Sequence, residues 1–309
     1  MNYKETLLFV AKCLTITREK ANRDLVEDKI KSGLVNWDNV VKISTAHYVF
    51  PALYCNLQRA DFLHYLPTDL VEYMKHITDL NRERNQQIIK EAKEINELLR
   101  SNNITPIFLK GTGNLLEELY EDTAERMVGD IDFLVKREFF KEAINILKKN
   151  DYVEKSENLI DNTIVNRHYP KITKKGKIAA VEIHNKMISI EKGFNYNFIE
   201  KSLKKLNNNI TVLSYENQVL LTCFNKQIND RGQWNKTISL RNSYDLYLLS
   251  KQTSVKKVLN DFNIPETDYL KNFLAITSYI FNPSQSLEYI KTNKTNDFIN
   301  KVVSFIENP

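Results

Sequence analysis

The sequence predicts an α+β protein, with a small mixed β-sheet in the middle of the chain and helical regions at both ends. Three observations carry that expectation. Apolar residues recur at three- and four-residue intervals over residues 1–103 and again over 211–309. Between them, residues 104–135 read as strand, glycine-rich turn, helix and strand. Further on, Ile178 to Ile183 is an apolar run that follows a charged glycine turn, Lys174-Lys175-Gly176-Lys177. The expected units are therefore 1–103, 104–210 and 211–309.

In the first unit, Leu7, Leu8, Val10 and Ala11 open a helix. Ile43, Ala46, Val49, Phe50, Leu53 and Leu57 keep helical spacing, and Pro51 predicts a boundary or kink among them. His47 lies on the apolar side and reads as a satisfied core or rim histidine. After Pro67, Thr68 or Asp69 is placed to cap a long helix that buries Leu70, Met74, Ile77, Ile88, Ala92, Ile95 and Leu99. The polar stretch from Asn81 to Gln87 is expected to face solvent, and Ser101-Asn102-Asn103 to stop the helix. This region reads as scaffolding without chemistry of its own.

The second unit opens with Ile107, Phe108 and Leu109 as a strand. The turn Lys110-Gly111-Thr112-Gly113 follows, then a helix over 114–120 with Leu115, Leu116 and Leu119 on its apolar face. Asp130 and Asp132 are two apart in a β-favouring run, so both carboxylates share one face while Ile131 and Phe133 take the other. Adjacent carboxylates repel, and a divalent cation between them relieves both repulsion and burial. With Gly129 keeping the approach open, this suggests Mg²⁺, with Mn²⁺ as the alternative, on hard oxygen ligands. The competing reading is an edge-strand end where Asp130 caps and Asp132 faces water.

After Lys136-Arg137 a helix presents Phe140, Ala143, Ile144 and Leu147, and residues 152–183 read as short strands. Glu182 completes a three-carboxylate cluster if its strand neighbours that of Asp132; otherwise it pairs with a lysine. His184 shares that face, placed to orient Glu182 or touch substrate. From Phe194 onward the chain is expected to be helical again. Ser214 caps a helix that buries Val219, Leu220, Cys223 and Phe224, with Ile228 extending it. Residues 238–249 turn Leu240, Tyr244, Leu248 and Leu249 inward, with Arg241 and Asp245 able to pair across one turn, or Asp245 facing solvent. Leu270, Phe273, Ile276, Tyr279 and Ile280 belong to a terminal helical packing region.

Composition bounds the function. Hydrophobic residues make up 42% and charged residues 27%, as in ordinary globular proteins. Cys13, Cys55 and Cys223 lie too far apart for a thiolate metal motif or a disulfide framework, so a reducing, cytoplasmic setting is expected. No apolar run approaches bilayer length, and the apolar patch near the N-terminus is interrupted by Lys12, with no clear cleavage site after it. The net charge of +5 leans towards a polyanionic partner such as a nucleotide or RNA.

The residues Leu109-Lys110-Gly111, Tyr120, Arg126, Asp130-Ile131-Asp132-Phe133-Leu134-Val135 and Val181-Glu182-Ile183-His184 resemble the DNA polymerase beta-like nucleotidyltransferase superfamily. More specifically, they resemble the bacterial family of uncharacterised nucleotidyltransferases. Ala46 to Tyr54 (AHYVFPALY) is similar to that family's helical leader, and Tyr244-Asp245-Leu246 to a downstream helix, so the resemblance covers most of residues 30–250. Two departures stand out: the phosphate turn is Gly111-Thr112 rather than Gly-Gly or Gly-Ser, and the stretch Cys223-Phe224-Asn225 lacks a histidine often present in relatives. The spacing is not that of a Walker A loop, since Lys110 precedes its glycine.

The resemblance implies a nucleotidyltransferase core within the α+β fold, and transfer of an NMP from an NTP to an acceptor hydroxyl with loss of pyrophosphate. It implies that Asp130, Asp132 and Glu182 ligate Mg²⁺ or Mn²⁺, Glu182 also lowering the pKa of the acceptor hydroxyl. Gly111 and Thr112 are expected to grip the β- and γ-phosphates, Lys110 and Arg126 to neutralise them, and His184 to support the substrate side. The acceptor stays open: RNA or tRNA steered by Lys171, Lys174, Lys175, Lys177, Lys204 and Lys205, a small molecule, or a protein hydroxyl. A toxin-like role would add an antitoxin partner. The alternatives are a non-catalytic nucleotide-binding module and a purely structural helical protein.

Overall fold

The computed structural model describes residues 1–154, 167–262, 264–283, 287–289 and 291–307. The chain opens with four helices: α1 (Tyr3–Cys13), α2 (Lys20–Lys31), α3 (Trp37–Ala46) and α4 (Phe50–Arg59). A capping box between Asn2 and Glu5 starts α1. Pro51 sits in the first turn of α4, where its missing N–H costs nothing, so the expected boundary falls at residues 47–49. There Tyr48 takes φ +57°. His47 ends α3 as a half-buried rim residue whose Nδ1 accepts the Leu240 N–H at 3.4 Å.

Helix α5 (Thr68–Arg100) runs for 33 residues; Pro67 occupies its cap position, so neither Thr68 nor Asp69 caps it. Ser101 ends it as expected. The expectation that residues 81–87 face solvent holds for Glu83, Gln86 and Gln87 but not for the two asparagines. Asn81 and Asn85 are buried, because this face of the helix lies against the backbone of residues 122–129.

Seven short strands among the described residues build one mixed sheet: β1 (Ile107–Phe108), β2 (Asp130–Leu134), β3 (Val153–Glu154), β4 (Ile172–Thr173), β5 (Ala180–His184), β6 (Lys204–Lys205) and β7 (Thr211–Val212). Their order is β3-β4-β5-β2-β1-β7-β6. β2 and β5 pair in parallel, with Asp132 opposite Glu182 and Phe133 opposite Ile183. The alternation is clean: Ile131, Phe133, Val181 and Ile183 are all buried on one face, and the acidic residues take the other. The turn around Gly176 joins β4 to antiparallel β5, as the sequence predicts. β6 and β7 interrupt the stretch expected to be helical; two-residue strands are too short to show a period.

Helix α6 spans Lys110–Leu116, four residues earlier than the sequence suggests, and the glycine turn is part of it. The positive φ falls on Lys110 (+53°), not on Gly111. The two glycines serve close packing instead. A Cβ on Gly111 would lie 2.9 Å from Val128 Cγ2, and one on Gly113 would lie 2.8 Å from the Phe108 carbonyl oxygen. Gly113→Ala must therefore push α6 off β1, at a cost of about 1–3 kcal/mol. Chemical denaturation checks this, and an unchanged midpoint would show that the helix is free to move.

Helix α7 (Phe140–Lys149) buries Phe140, Ala143, Ile144 and Leu147 as predicted, and α8 (Tyr196–Ile199) is a single turn. Then come α9 (Tyr215–Phe224), capped by Ser214, and a π-helical turn over Asn225–Asn229 that includes buried Ile228. The chain closes with α10 (Gly232–Asn235), α11 (Leu240–Leu249), α12 (Val255–Asp261), α13 (Thr267–Phe281) and α14 (Asn293–Glu307). No helix among the described residues is long and apolar enough to cross a membrane.

Candidate active site

The parallel register of β2 and β5 brings Asp132, Glu182 and His184 together, with one donor atom from each lying within 4.8 Å of the others. His184 is fully buried, its Nε2 2.8 Å from Asp132 Oδ1 and 3.4 Å from Glu182 Oε2. With two carboxylates as its partners, Nε2 is the donor, so His184 orients the acids from beneath them. Lys110 Nζ comes from the other side, 2.6 Å from Asp132 and 3.7 Å from Glu182. The unusual backbone at Lys110 is what turns its side chain back over β2.

Burial raises the Asp132 pKa, but Lys110 and His184 outweigh it and hold the carboxyl well below its usual range. Burial also opposes ionisation of Glu182, which the hydrogen bond from His184 and the charge of Lys110 reverse against repulsion from Asp132. Asp130 lies at the strand entrance, more exposed, with Lys171 Nζ 2.8 Å from its Oδ2 and 3.3 Å from Glu182. Both readings of Glu182, as a member of an acidic cluster and as a lysine's partner, describe the same geometry. Anionic oxygens kept ionised, with lysine ammonium groups as the movable counter-charges, suit a hard divalent cation. Of the three expected ligands, the structure brings Asp132 and Glu182 together with His184, and Asp130 stands outside that group.

Asp130, Asp132 and Glu182 line a cleft of about 230 Å³ together with Lys110, Arg126, Arg167 and Arg241 and two further acids, Asp230 and Asp245. Gly129 opens onto this cleft, and a Cβ there would meet nothing within 4 Å. Thr112 is buried and donates its hydroxyl to the Asp130 carbonyl at 3.0 Å, so it ties α6 to β2. Arg126 is nearly buried and gives its Nε to both Asp245 oxygens at 3.0 Å, while Asp245 also accepts from Tyr120 Oη at 2.7 Å. Asp245 thus neither pairs with Arg241 nor faces solvent, because a stronger partner lies across the cleft. Its neighbour Tyr244 donates to Glu125 at 2.5 Å, so adjacent residues of α11 fix the loop that carries Arg126.

Sequence reasoning missed the other hold on that loop. Asn85 Nδ2 donates to the carbonyls of Thr123 (2.6 Å) and Arg126 (2.7 Å), Asn81 Nδ2 donates to that of Ala124 (2.7 Å), and Arg84 reaches Val128 and Gly129. The available signal was two asparagines four apart on one face of a long helix. Asn85→Ala takes the Asn85 donor from the Thr123 carbonyl and leaves that of Arg126 only the longer bond from Asn81 at 3.3 Å, and should cost about 2 kcal/mol. Faster proteolytic cleavage within 122–128 would locate the damage, and wild-type protection there would refute the assignment. Of the lysines proposed to steer RNA, Lys171 joins the acidic site, Lys204 pairs with Glu117 at 2.5 Å and Lys177 pairs with Glu94.

A carboxylate pair braced by an imidazole thus lines an arginine-bearing cleft on a mixed sheet, within an α+β fold. The particular family follows from the sequence: the model described as uncharacterised nucleotidyltransferase matches residues 34–261, and the chain belongs to that family. The α+β fold with helical flanks is consistent with a nucleotidyltransferase core. No curated protein and no solved structure matches the chain significantly.

Proposed function

We propose that the protein moves a nucleoside monophosphate from an NTP to an acceptor hydroxyl. The observation that carries this reading is Asp132 in register with Glu182, braced by His184 and lining the arginine-bearing cleft. In the reaction the acceptor oxygen bonds to the α-phosphorus, the bond to the bridging oxygen breaks, and pyrophosphate leaves with the electron pair. A divalent cation, Mg²⁺ or Mn²⁺, held by Asp130, Asp132 and Glu182 would stabilise the charge on the entering and leaving oxygens. Glu182 receives the hydroxyl proton. His184 keeps both carboxylates aimed, and Lys110 offers its ammonium to the phosphate oxygens. Arg126, fixed by Asp245, shapes the phosphate side of the cleft, and Gly111 allows the loop its close approach.

RNA is the acceptor class we favour, because three arginines line the cleft and the chain carries a net charge of +5. The test is label transfer from each α-labelled NTP, with Mg²⁺ or Mn²⁺, with and without total cellular RNA, beside Asp132→Asn. Label entering RNA with wild-type protein alone supports the full reading. Label on the protein itself replaces RNA with a protein acceptor. If no label moves and no nucleotide binds, the transfer reading fails.

A further inference from the structure

Buried charges are normally paired, because an unpaired one is costly. Arg241, in the first turn of α11, departs from that rule. It lines the cleft together with the acids, its Nε is buried without a hydrogen-bond partner, and no ion pair reaches it among the described residues. Its i+4 neighbour Asp245 is engaged by Arg126 and Tyr120. Burial and the nearby Arg126 charge push the Arg241 pKa down to about 10 against the opposing charges of Asp245 and Asp230, which still leaves it protonated at neutral pH.

The Arg241 guanidinium is nevertheless held in place. Its Cζ lies 4.8 Å from the ring centroid of Tyr48, in the AHYVFP stretch that the acidic site leaves without a role. Tyr48 takes φ +57°, which a bulky residue rarely adopts, and the adjacent His47 accepts the Leu240 N–H. The leader segment thus grips the first turn of α11 and stacks on a cleft arginine that no carboxylate bonds among the described residues. A planar guanidinium held this way is suited to two parallel hydrogen bonds to a phosphate.

We propose that Arg241 is the receptor for a phosphate group entering the cleft, carried either by the nucleotide's tail or by the acceptor. The identity of that ligand rests on the transfer reading above, whereas the anion site itself does not. The first test is calorimetric binding of tripolyphosphate, with chelator present, to wild type, Arg241→Gln and Arg241→Lys. Arg241→Gln should weaken binding by about tenfold to a hundredfold, and Arg241→Lys should keep part of it. The melting temperature of ligand-free Arg241→Gln should equal or exceed wild type, because the substitution removes a partly buried charge that no carboxylate bonds. A structural arginine would instead lower it. Equal tripolyphosphate affinity in wild type and both variants overturns the proposal.

Binding of ATP, ADP, AMP and a 5′-phosphorylated oligoribonucleotide then separates the two sources. A loss confined to ATP and ADP assigns Arg241 to the nucleotide tail. A loss confined to the oligoribonucleotide assigns it to the acceptor. If wild type binds no nucleotide yet binds tripolyphosphate through Arg241, the anion site stands and the transfer reading falls. If the nucleotides and the oligoribonucleotide all bind wild type and Arg241→Gln alike, the transfer reading stands and the anion site falls.

Discussion

Asp132→Asn is expected to lower nucleotidyl transfer by roughly 10³-fold while leaving the fold intact. The substitution keeps the shape of the side chain and removes its charge. Asp132 sits in the paired strand β2 with Lys110 at 2.6 Å and His184 at 2.8 Å, so an amide oxygen there still accepts a hydrogen bond. What disappears is one negative charge from the cluster that, on the proposed function, would hold a divalent cation beside the reacting phosphate. Stability should change little: the amide avoids the cost of burying a charge, while Lys110 and His184 retain Glu182 as a partner. Single-turnover transfer at saturating NTP, beside a thermal melt, measures both quantities. Activity within tenfold of wild type would remove Asp132 from the catalytic role.

The largest expected effect on stability is that of Asp245→Ala. Asp245 and Arg126 are nearly buried, and three hydrogen bonds converge on the carboxylate, two from Arg126 and one from Tyr120. Removing it leaves Arg126, like Arg241, as a guanidinium that no carboxylate bonds. Breaking such a pair costs about 3–5 kcal/mol, which lowers the melting temperature by roughly 10 °C in a chain of this size. Arg126→Met combined with Asp245→Ala should recover more than half of that loss, since neither charge then remains alone. Urea unfolding of the two single variants and the double variant completes the cycle. Additive single-variant losses would mean that the two side chains act independently.

The parts of this molecule that local chemistry governs were legible in the sequence. Period-two alternation around Asp132 and Glu182 placed both on one face, and the boundary at Pro51, the Ser214 cap and the buried face of α7 each follow from a few neighbouring residues. Contacts between distant segments were not legible. The spacing of Arg241 and Asp245 suggested an intrahelical pair, but the true partner of Asp245 is 119 positions away. Asn81 and Asn85 looked solvent-facing because polarity is a poor guide to exposure when the opposite surface is made of peptide carbonyls. Thr112 offered a hydroxyl at a glycine turn, and only the fold reveals that the Asp130 carbonyl takes it.

Helix α5 holds two segments that lead into the site. Asn85 holds the carbonyl of Arg126, and Glu91 accepts the N–H groups of Ile178 (2.8 Å) and Ala179 (3.2 Å), where the chain enters β5. The helix therefore works as a ruler, since its rise and twist set how far apart the two segments stand. One residue inserted between Asn85 and Glu91 would advance the second hold by about 1.5 Å and rotate it by about 100°. No rearrangement of side chains alone would then let both holds close. Descendants of this chain can lengthen or shorten the loops around the sheet, but that short span of helix has to keep its residue count.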